Sequence, residues 1–147
     1  MSLAEQIMTD MKTAMKSRDK VKLNTVRMIK AALMNEKIKV GHELTPDEEL
    51  TILNREKKQR EESIAEFEKA KRDDLVEETR SELRIIESYL PEQLSEQELQ
   101  KIVKESIDEV HASNKADFGK VMKVIMPKIK GRADGKMAAN AVKAQLS

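Results

Sequence analysis

Apolar residues recur along this chain at intervals of three and four, the spacing of helices that each bury one face. Leu3, Ile7, Met11 and Met15 open the series, with Ser2 and Glu5 placed ahead of them as a capping box. The pattern weakens over residues 17–19. It resumes through Leu23, Val26, Ile29 and Leu33 in a second helix over residues 19–40, which Gly41 is placed to end. Thr45-Pro46-Asp47-Glu48 is the clearest start signal: Thr45 can accept from first-turn amides, Pro46 suits the first helical position, and Glu48 closes a capping box. The helix that follows carries Leu50, Leu53, Ile64 and Phe67 to about residue 70. Between Leu53 and Ile64 its inward positions are charged (Glu56, Lys57, Arg60), so either its middle is exposed or these charges pair with a neighbour.

Asp73 or Asp74 is expected to cap a fourth helix through Val76, Thr79, Leu83, Ile86 and Tyr89. Pro91 closes it, because the residue before a proline is pushed out of the α region. Ser95 and Glu98 form another capping box ahead of Leu99, Ile102, Val103 and Ile107. Ser113 is expected to cap a short helix with Phe118, Val121, Met122 and Ile125, stopped at Pro127. Asp134 caps a last helix with Met137, Val142 and Leu146. No strand alternation and no internal repeat is present. The expectation is an all-α protein: an N-terminal bundle of long helices over residues 1–91, then a smaller three-helix domain over residues 92–147. The boundary rests on Tyr89-Leu90-Pro91-Glu92-Gln93-Leu94-Ser95, a helix stop and a fresh cap in succession.

Composition supports helices. Charged residues make up 37 % and aromatics only 2 %, so Leu, Ile, Val, Ala and nine Met must pack the interior, and four Gly with three Pro leave little punctuation for hairpins. No apolar run approaches the roughly 18 residues of a membrane span. The first ten residues lack a basic segment followed by an apolar one, and Cys is absent, so the reading is a cytoplasmic protein without disulfides or thiol chemistry.

Net charge is +1, and the average conceals a strong asymmetry. Residues 1–41 carry +5, residues 42–91 carry −6, residues 92–117 carry −4 and residues 118–147 carry +6. The C-terminal segment is therefore the first pointer to a partner.

Catalytic chemistry finds little support. His42 and His111 fall in separate turns, no His pair sits one helical turn apart, and neither reads as a metal ligand. No glycine-bearing elbow surrounds a Ser, and no Gly-rich loop could cradle a phosphate. The carboxylates at Glu56, Glu61, Glu62, Glu66 and Glu68 lie on helices without a cleft. No catalytic residue, metal or cofactor is expected.

Two basic segments remain. Arg55, Lys57, Lys58 and Arg60 are interleaved with Glu56, Glu61 and Glu62, and Glu56 to Arg60 is an i,i+4 pair in the favourable order, so a solvated, ion-paired face is the first reading and phosphate binding the second. The tail is different. Lys120, Lys123, Lys128, Lys130, Arg132, Lys136 and Lys143 face one acidic residue, Asp134. Residues 128–136 form a Gly-punctuated basic connection, with Gly131 and Gly135, into a helix start, where backbone amides and neighbouring cations suit a phosphate. Phe118 reads as core, which disfavours base stacking and leaves recognition of a folded nucleic acid by backbone and shape.

These segments resemble the GatB/YqeY family, most closely its free-standing YqeY-like branch, over essentially the whole chain. The resemblance rests on Asp10-Met11-Lys12-Thr13-Ala14-Met15-Lys16, Arg27-Met28-Ile29-Lys30-Ala31-Ala32, Lys58-Gln59-Arg60 with Ser63-Ile64 and Phe67, and Tyr89-Leu90-Pro91-Glu92-Gln93-Leu94. It continues in Phe118-Gly119-Lys120-Val121-Met122, Met126-Pro127-Lys128 and Lys130-Gly131-Arg132-Ala133-Asp134-Gly135-Lys136. It implies a module like the tail of the GatB subunit of glutamine-dependent aminoacyl-tRNA amidotransferases, which contacts the outer corner of tRNA, with Lys128, Lys130, Gly131, Arg132 and Lys136 facing the RNA. The expected role is a tRNA-binding accessory module, acting alone or in trans with an aminoacyl-tRNA synthetase or amidotransferase. The amidotransferase's catalytic portions have no counterpart here. Two departures stand out: Ala70-Lys71-Arg72 lacks a glycine expected in that turn, and Met137-Ala138-Ala139-Asn140-Ala141 is smaller and less leucine-rich than expected. A helical protein-interaction adaptor is the alternative, kept by the −6 segment, which would repel phosphates.

Overall fold

A computed structural model describes residues 2–146. Seven α-helices and a short 3-10 turn account for the regular structure among them, and no strand occurs. The chain divides into two compact units, Met1–Leu90 and Pro91–Ser147, each with its own buried cluster.

The first unit contains α1 (Leu3–Ser17), α2 (Lys20–Val40), α3 (Pro46–Lys69) and α4 (Asp73–Glu87). Its helix ends follow local chemistry. Ser2 accepts from the Glu5 amide, Asp19 from the Lys22 amide, and Thr45 and Glu48 exchange both bonds of a capping box. Gly41 closes α2 at φ +77°. Arg18 and Lys71 reverse the chain at φ +58° and +57° without being glycine. The turn that lacks the expected glycine thus keeps a left-handed geometry, at a strain of about 1 kcal/mol for a side-chain-bearing residue. The expected aspartate cap of α4 is not formed: Arg72 occupies the N-cap with no side-chain cap bond, and its guanidinium instead grips Asp74 at 3.1 Å. α2 packs on α1, α3 and α4, and its Val26 and Ile29 lie at the centre with Ile7, Leu53, Ile86 and Leu90. At the end of the unit the Tyr89 hydroxyl donates to Asp10, tying two of the segments that carried the family resemblance. Burial and that carboxylate hold the Tyr89 phenol well above its ordinary value.

The second unit contains α5 (Glu96–Glu109), the 3-10 turn Lys115–Asp117, α6 (Phe118–Ile129) and α7 (Gly135–Gln145). The three helices pack on one another around Leu99, Val103, Val121, Ile125, Ile129, Ala138, Val142 and Leu146. Three expectations are corrected here. Asn114, not Ser113, caps the 3-10 turn, while the Ser113 amide donates to Asp117. The helix does not stop at Pro127 but runs on to Ile129; Pro127 is exposed, so the missing amide falls on the solvent side, and Ile129 gains a core position. In α7 the small Ala138, not the bulkier Met137, is buried, because close packing there leaves no room for a long side chain.

Candidate nucleic-acid interface

The connection between α6 and α7 is held from the start of its own unit. Arg132 accepts from the Leu94 amide at 2.8 Å through its carbonyl, and Gln93 donates its side-chain amide to the Gly131 carbonyl at 2.7 Å. The Arg132 guanidinium donates to the Glu92 carbonyl at 3.3 Å. Gly131 takes φ +76°, a left-handed conformation that favours glycine, and Arg132 and Ala133 return bonds to the Ile129 carbonyl. Asp134 accepts from the Lys136 amide at 3.0 Å and so starts α7. The turn is therefore a fixed ledge rather than a loose basic linker. Pro91, Glu92, Gln93 and Leu94, read from sequence as a boundary, also shape this ledge; pattern alone gave no sign of that second task.

The seven tail cations differ in their surroundings. Lys128 is engaged: its ammonium lies 2.8 Å from Glu109 and 3.4 Å from the buried Ser106 hydroxyl of α5. Arg132 is engaged by the Glu92 carbonyl and half-buried. Lys143 stands 5.4 Å from the centre of the Phe118 ring, so Phe118 is partly buried and covered by a cation rather than presented for base stacking. Lys120, Lys123, Lys130 and Lys136 are exposed. Lys120 stands near Asp117, whose carboxyl is held below its ordinary range mainly by the Ser113 amide and in part by that lysine. Asp134, the one carboxylate of this segment, has an oxygen engaged in capping α7. Lys120 and Lys123 lie on α6, Lys130 in the connection and Lys136 in the first turn of α7, where the helix start carries a partial positive charge.

The other basic segment becomes mostly structure. Arg60 is buried with Glu56; its guanidinium lies 3.5 Å from Glu56, 3.8 Å from Glu82 of α4 and 3.6 Å from the Met28 sulfur of α2. Burial raises the Glu82 carboxyl above its ordinary range even though Arg60 draws it down. Arg55 reaches Glu36 of α2 at 4.0 Å. Lys57 is half-buried, and Arg55 and Lys58 are exposed. Arg60 therefore lies inside the unit and not on a basic face.

His42 bonds the neighbouring Glu43 carbonyl and approaches Glu48 at 3.8 Å, and His111 sits exposed in a turn at φ +55°. Among the described residues no group of three His, Cys, Asp or Glu could hold a metal ion, and no helix is long and apolar enough to cross a membrane.

The fold and this ledge define the class only as a small all-helical module of two units. A family model described as Yqey-like protein matches residues 4–146, and the chain belongs to that family. It is 35 % identical over 131 residues to "Altered inheritance of mitochondria protein 41, mitochondrial" of Pyrenophora tritici-repentis, covering 87 % of this chain and 71 % of that protein. It is 31 % identical over 116 residues to the protein of the same name from Clavispora lusitaniae, covering 77 % of this chain and 67 % of that one. Both relatives are named as mitochondrial, which overturns the cytoplasmic expectation. That expectation rested on composition, and an absence of Cys does not distinguish these compartments.

Proposed function

We propose that this chain is a non-catalytic accessory module that binds folded tRNA through the C-terminal unit, serving an aminoacyl-tRNA synthetase or amidotransferase in trans. The compartment proposed with it is the mitochondrion, following the names of the two relatives. The observation that carries the reading is the edge formed by Lys120, Lys123, Lys130 and Lys136, all exposed, beside a helix start whose capping carboxylate is engaged. Cations fixed on a rigid ledge suit phosphates spaced along a folded backbone, and the lack of an exposed aromatic favours shape over base readout. Gly131 and Arg132 support the ledge from within rather than reaching outward.

Salt dependence tests it. With about three to four phosphates neutralised, the log–log slope of affinity against salt for the full chain and a tRNA transcript should be roughly −3. Replacing Lys120, Lys123 and Lys136 together with Ala should weaken binding and flatten the slope while leaving the helical signal unchanged. Replacing Arg55 and Lys58 should change neither. Loss of binding in the second variant but not the first moves the interface to the N-terminal unit. No binding by wild type at low salt removes the tRNA reading altogether.

A further inference from the structure

The N-terminal hairpin presents a face that the tRNA reading does not use. Down α2, Lys20, Asn24, Arg27, Ala31, Met34 and Ile38 recur at alternating steps of four and three, the seam of a helix that packs on another helix, yet all six are exposed. The seam runs about 27 Å at 1.5 Å per residue. Its first half is basic and its second half apolar: Met34 is 52 % and Ile38 76 % exposed. α1 lies alongside with exposed Met8, Lys12, Met15 and Lys16, and Lys30 of α2 reaches the Met8 sulfur at 4.0 Å. Where the two helices meet the start of α3, a groove of about 210 Å³ opens, lined by the apolar Ile7, Met8, Leu33, Met34 and Leu44 and also by Lys30, Lys37, Glu43 and Glu49.

Three of the four carboxylates of this hairpin are turned to other tasks, and Glu5 stands exposed near the start of α1. Asp10 takes the Tyr89 hydroxyl, Asp19 caps α2, and Glu36 faces Arg55. At the groove's rim Glu43 binds Lys37 at 2.6 Å, and burial raises the Glu49 carboxyl above its ordinary range. Lys12, Lys16, Lys20 and Arg27 are left as an exposed cationic flank beside an apolar, methionine-walled groove.

We propose that this face docks an acidic amphipathic helix of a partner protein. Its apolar residues would enter the Met8–Met34 groove and lie along Ala31 to Ile38, and its carboxylates would meet Lys12, Lys20 and Arg27. Three occupants compete, and the observations separate them. A second copy of this hairpin would set cation against cation if parallel, and if antiparallel would set Lys20 and Arg27 against Ile38 and Met34, giving neither cation a carboxylate. A bilayer is flat and would leave the groove unfilled. An RNA backbone gains nothing from an apolar floor. The groove is smaller than the roughly 300–1,000 Å³ of pockets that enclose drug-sized molecules, so it fits side chains presented by a helix. Methionine walls adapt to such side chains. The inference is independent of the tRNA reading, which rests on the other unit.

The test uses the full chain and a labelled synthetic helix of about five turns, with Leu along one face and Glu elsewhere, followed by fluorescence anisotropy. A peptide of the same composition with the face scrambled is the control. Saturable binding to the ordered peptide alone is expected. It should weaken about tenfold, or 1.4 kcal/mol, in Met34→Ser with Ile38→Ser. Lys20→Ala with Arg27→Ala should weaken it too and reduce its salt dependence. All four positions are exposed, so circular dichroism should be unchanged. The Lys120, Lys123 and Lys136 variant should bind the peptide like wild type, which separates failure here from failure of the tRNA reading. Equal binding of the scrambled peptide, insensitivity to these substitutions, or no saturable binding would each overturn the proposal. So would co-sedimentation with anionic phosphatidylglycerol vesicles, or binding of tRNA, that is lost in the same α2 variants.

Discussion

The two units of this chain treat polar groups in opposite ways. The N-terminal unit takes them inside: Arg60 and Glu56 are buried beside Glu82, Thr25 and Thr79 bond back to their own helices, and Tyr89 reaches Asp10. The C-terminal unit encloses a purely apolar cluster apart from Ser106, and its cations remain at or near the surface. Two cationic runs thus end differently: Arg60 becomes internal framework in one unit, and the tail cations stay at the surface of the other, even Lys128, which meets Glu109 of a neighbouring helix.

The largest effect should come from the apolar core of the smaller unit. Ile125 is fully buried, and Ile125→Ala should cost about 3–4 kcal/mol from lost burial and a residual cavity. A unit of this size has little reserve. Thermal melts should show the helical signal of residues 91–147 lost while that of residues 1–90 persists. Loss of both together would mean that the units do not fold independently.

Arg60→Ala should come next, at about 3 kcal/mol, because it leaves Glu56 and Glu82 facing each other in a partly desolvated space. Removing the facing charge as well, in Arg60→Met with Glu56→Met, should recover most of that loss in urea denaturation. A single Arg60→Ala variant as stable as wild type would show that water reaches this network, and the contrast between the units would fail.

These two predictions mark how far the sequence was legible. Caps were in part: Thr45 with Glu48 and Asp134 with Lys136 meet within a few residues, while the aspartate cap of α4 and the Ser113 cap did not form, and Ser2 and Ser95 accept only the amide half of a capping box. Core stripes were largely so, but Ile52 was missed: α3 packs on both α2 and α4 and so buries a wider stripe than one face requires. The role of Arg60 was posed as an alternative and could not be decided, because Glu82 lies a helix away and only packing brings it near. The same holds for Lys128. Its segment reads as almost uncompensated, yet Glu109 arrives from α5. Sequence shows which charges a segment has; the neighbours that neutralise them belong to tertiary structure.

A smaller effect, about 1.5 kcal/mol, is expected for Tyr89→Phe, the size of a hydrogen bond to a charged acceptor. It carries a pH signature. The folded phenol keeps its proton beyond the ordinary value of 10.0, so above that pH the unfolded chain sheds its proton first. The contribution is full below pH 10.0 and declines above it. Urea midpoints measured about one pH unit either side should fall more steeply for wild type than for Tyr89→Phe. Parallel declines would show that burial and the Asp10 contact together do not hold the phenol above its ordinary value.

The smallest effect should be Lys128→Ala. Its pair with Glu109 is short, at 2.8 Å, yet both side chains stay substantially exposed, 38 % and 57 %. Water screens such a pair, and holding two long side chains in one geometry opposes it, so exposed pairs contribute about 0–1 kcal/mol. Lys128 also lies in the last turn of α6, where a cation offsets the partial negative charge of the helix end by a few tenths of a kcal/mol. Together these predict a loss of about 0.5 kcal/mol that fades with added salt. The substitution should affect tRNA little for the same reason: its charge is already shared with Glu109, unlike that of Lys123. Glu109→Gln sharpens the point, since freeing Lys128 should raise tRNA affinity and steepen the salt slope by up to about one phosphate contact. If Lys128→Ala destabilised the protein as much as Arg60→Ala, the cations of the second unit would be framework as well, and the ledge would lose its distinction from the bundle.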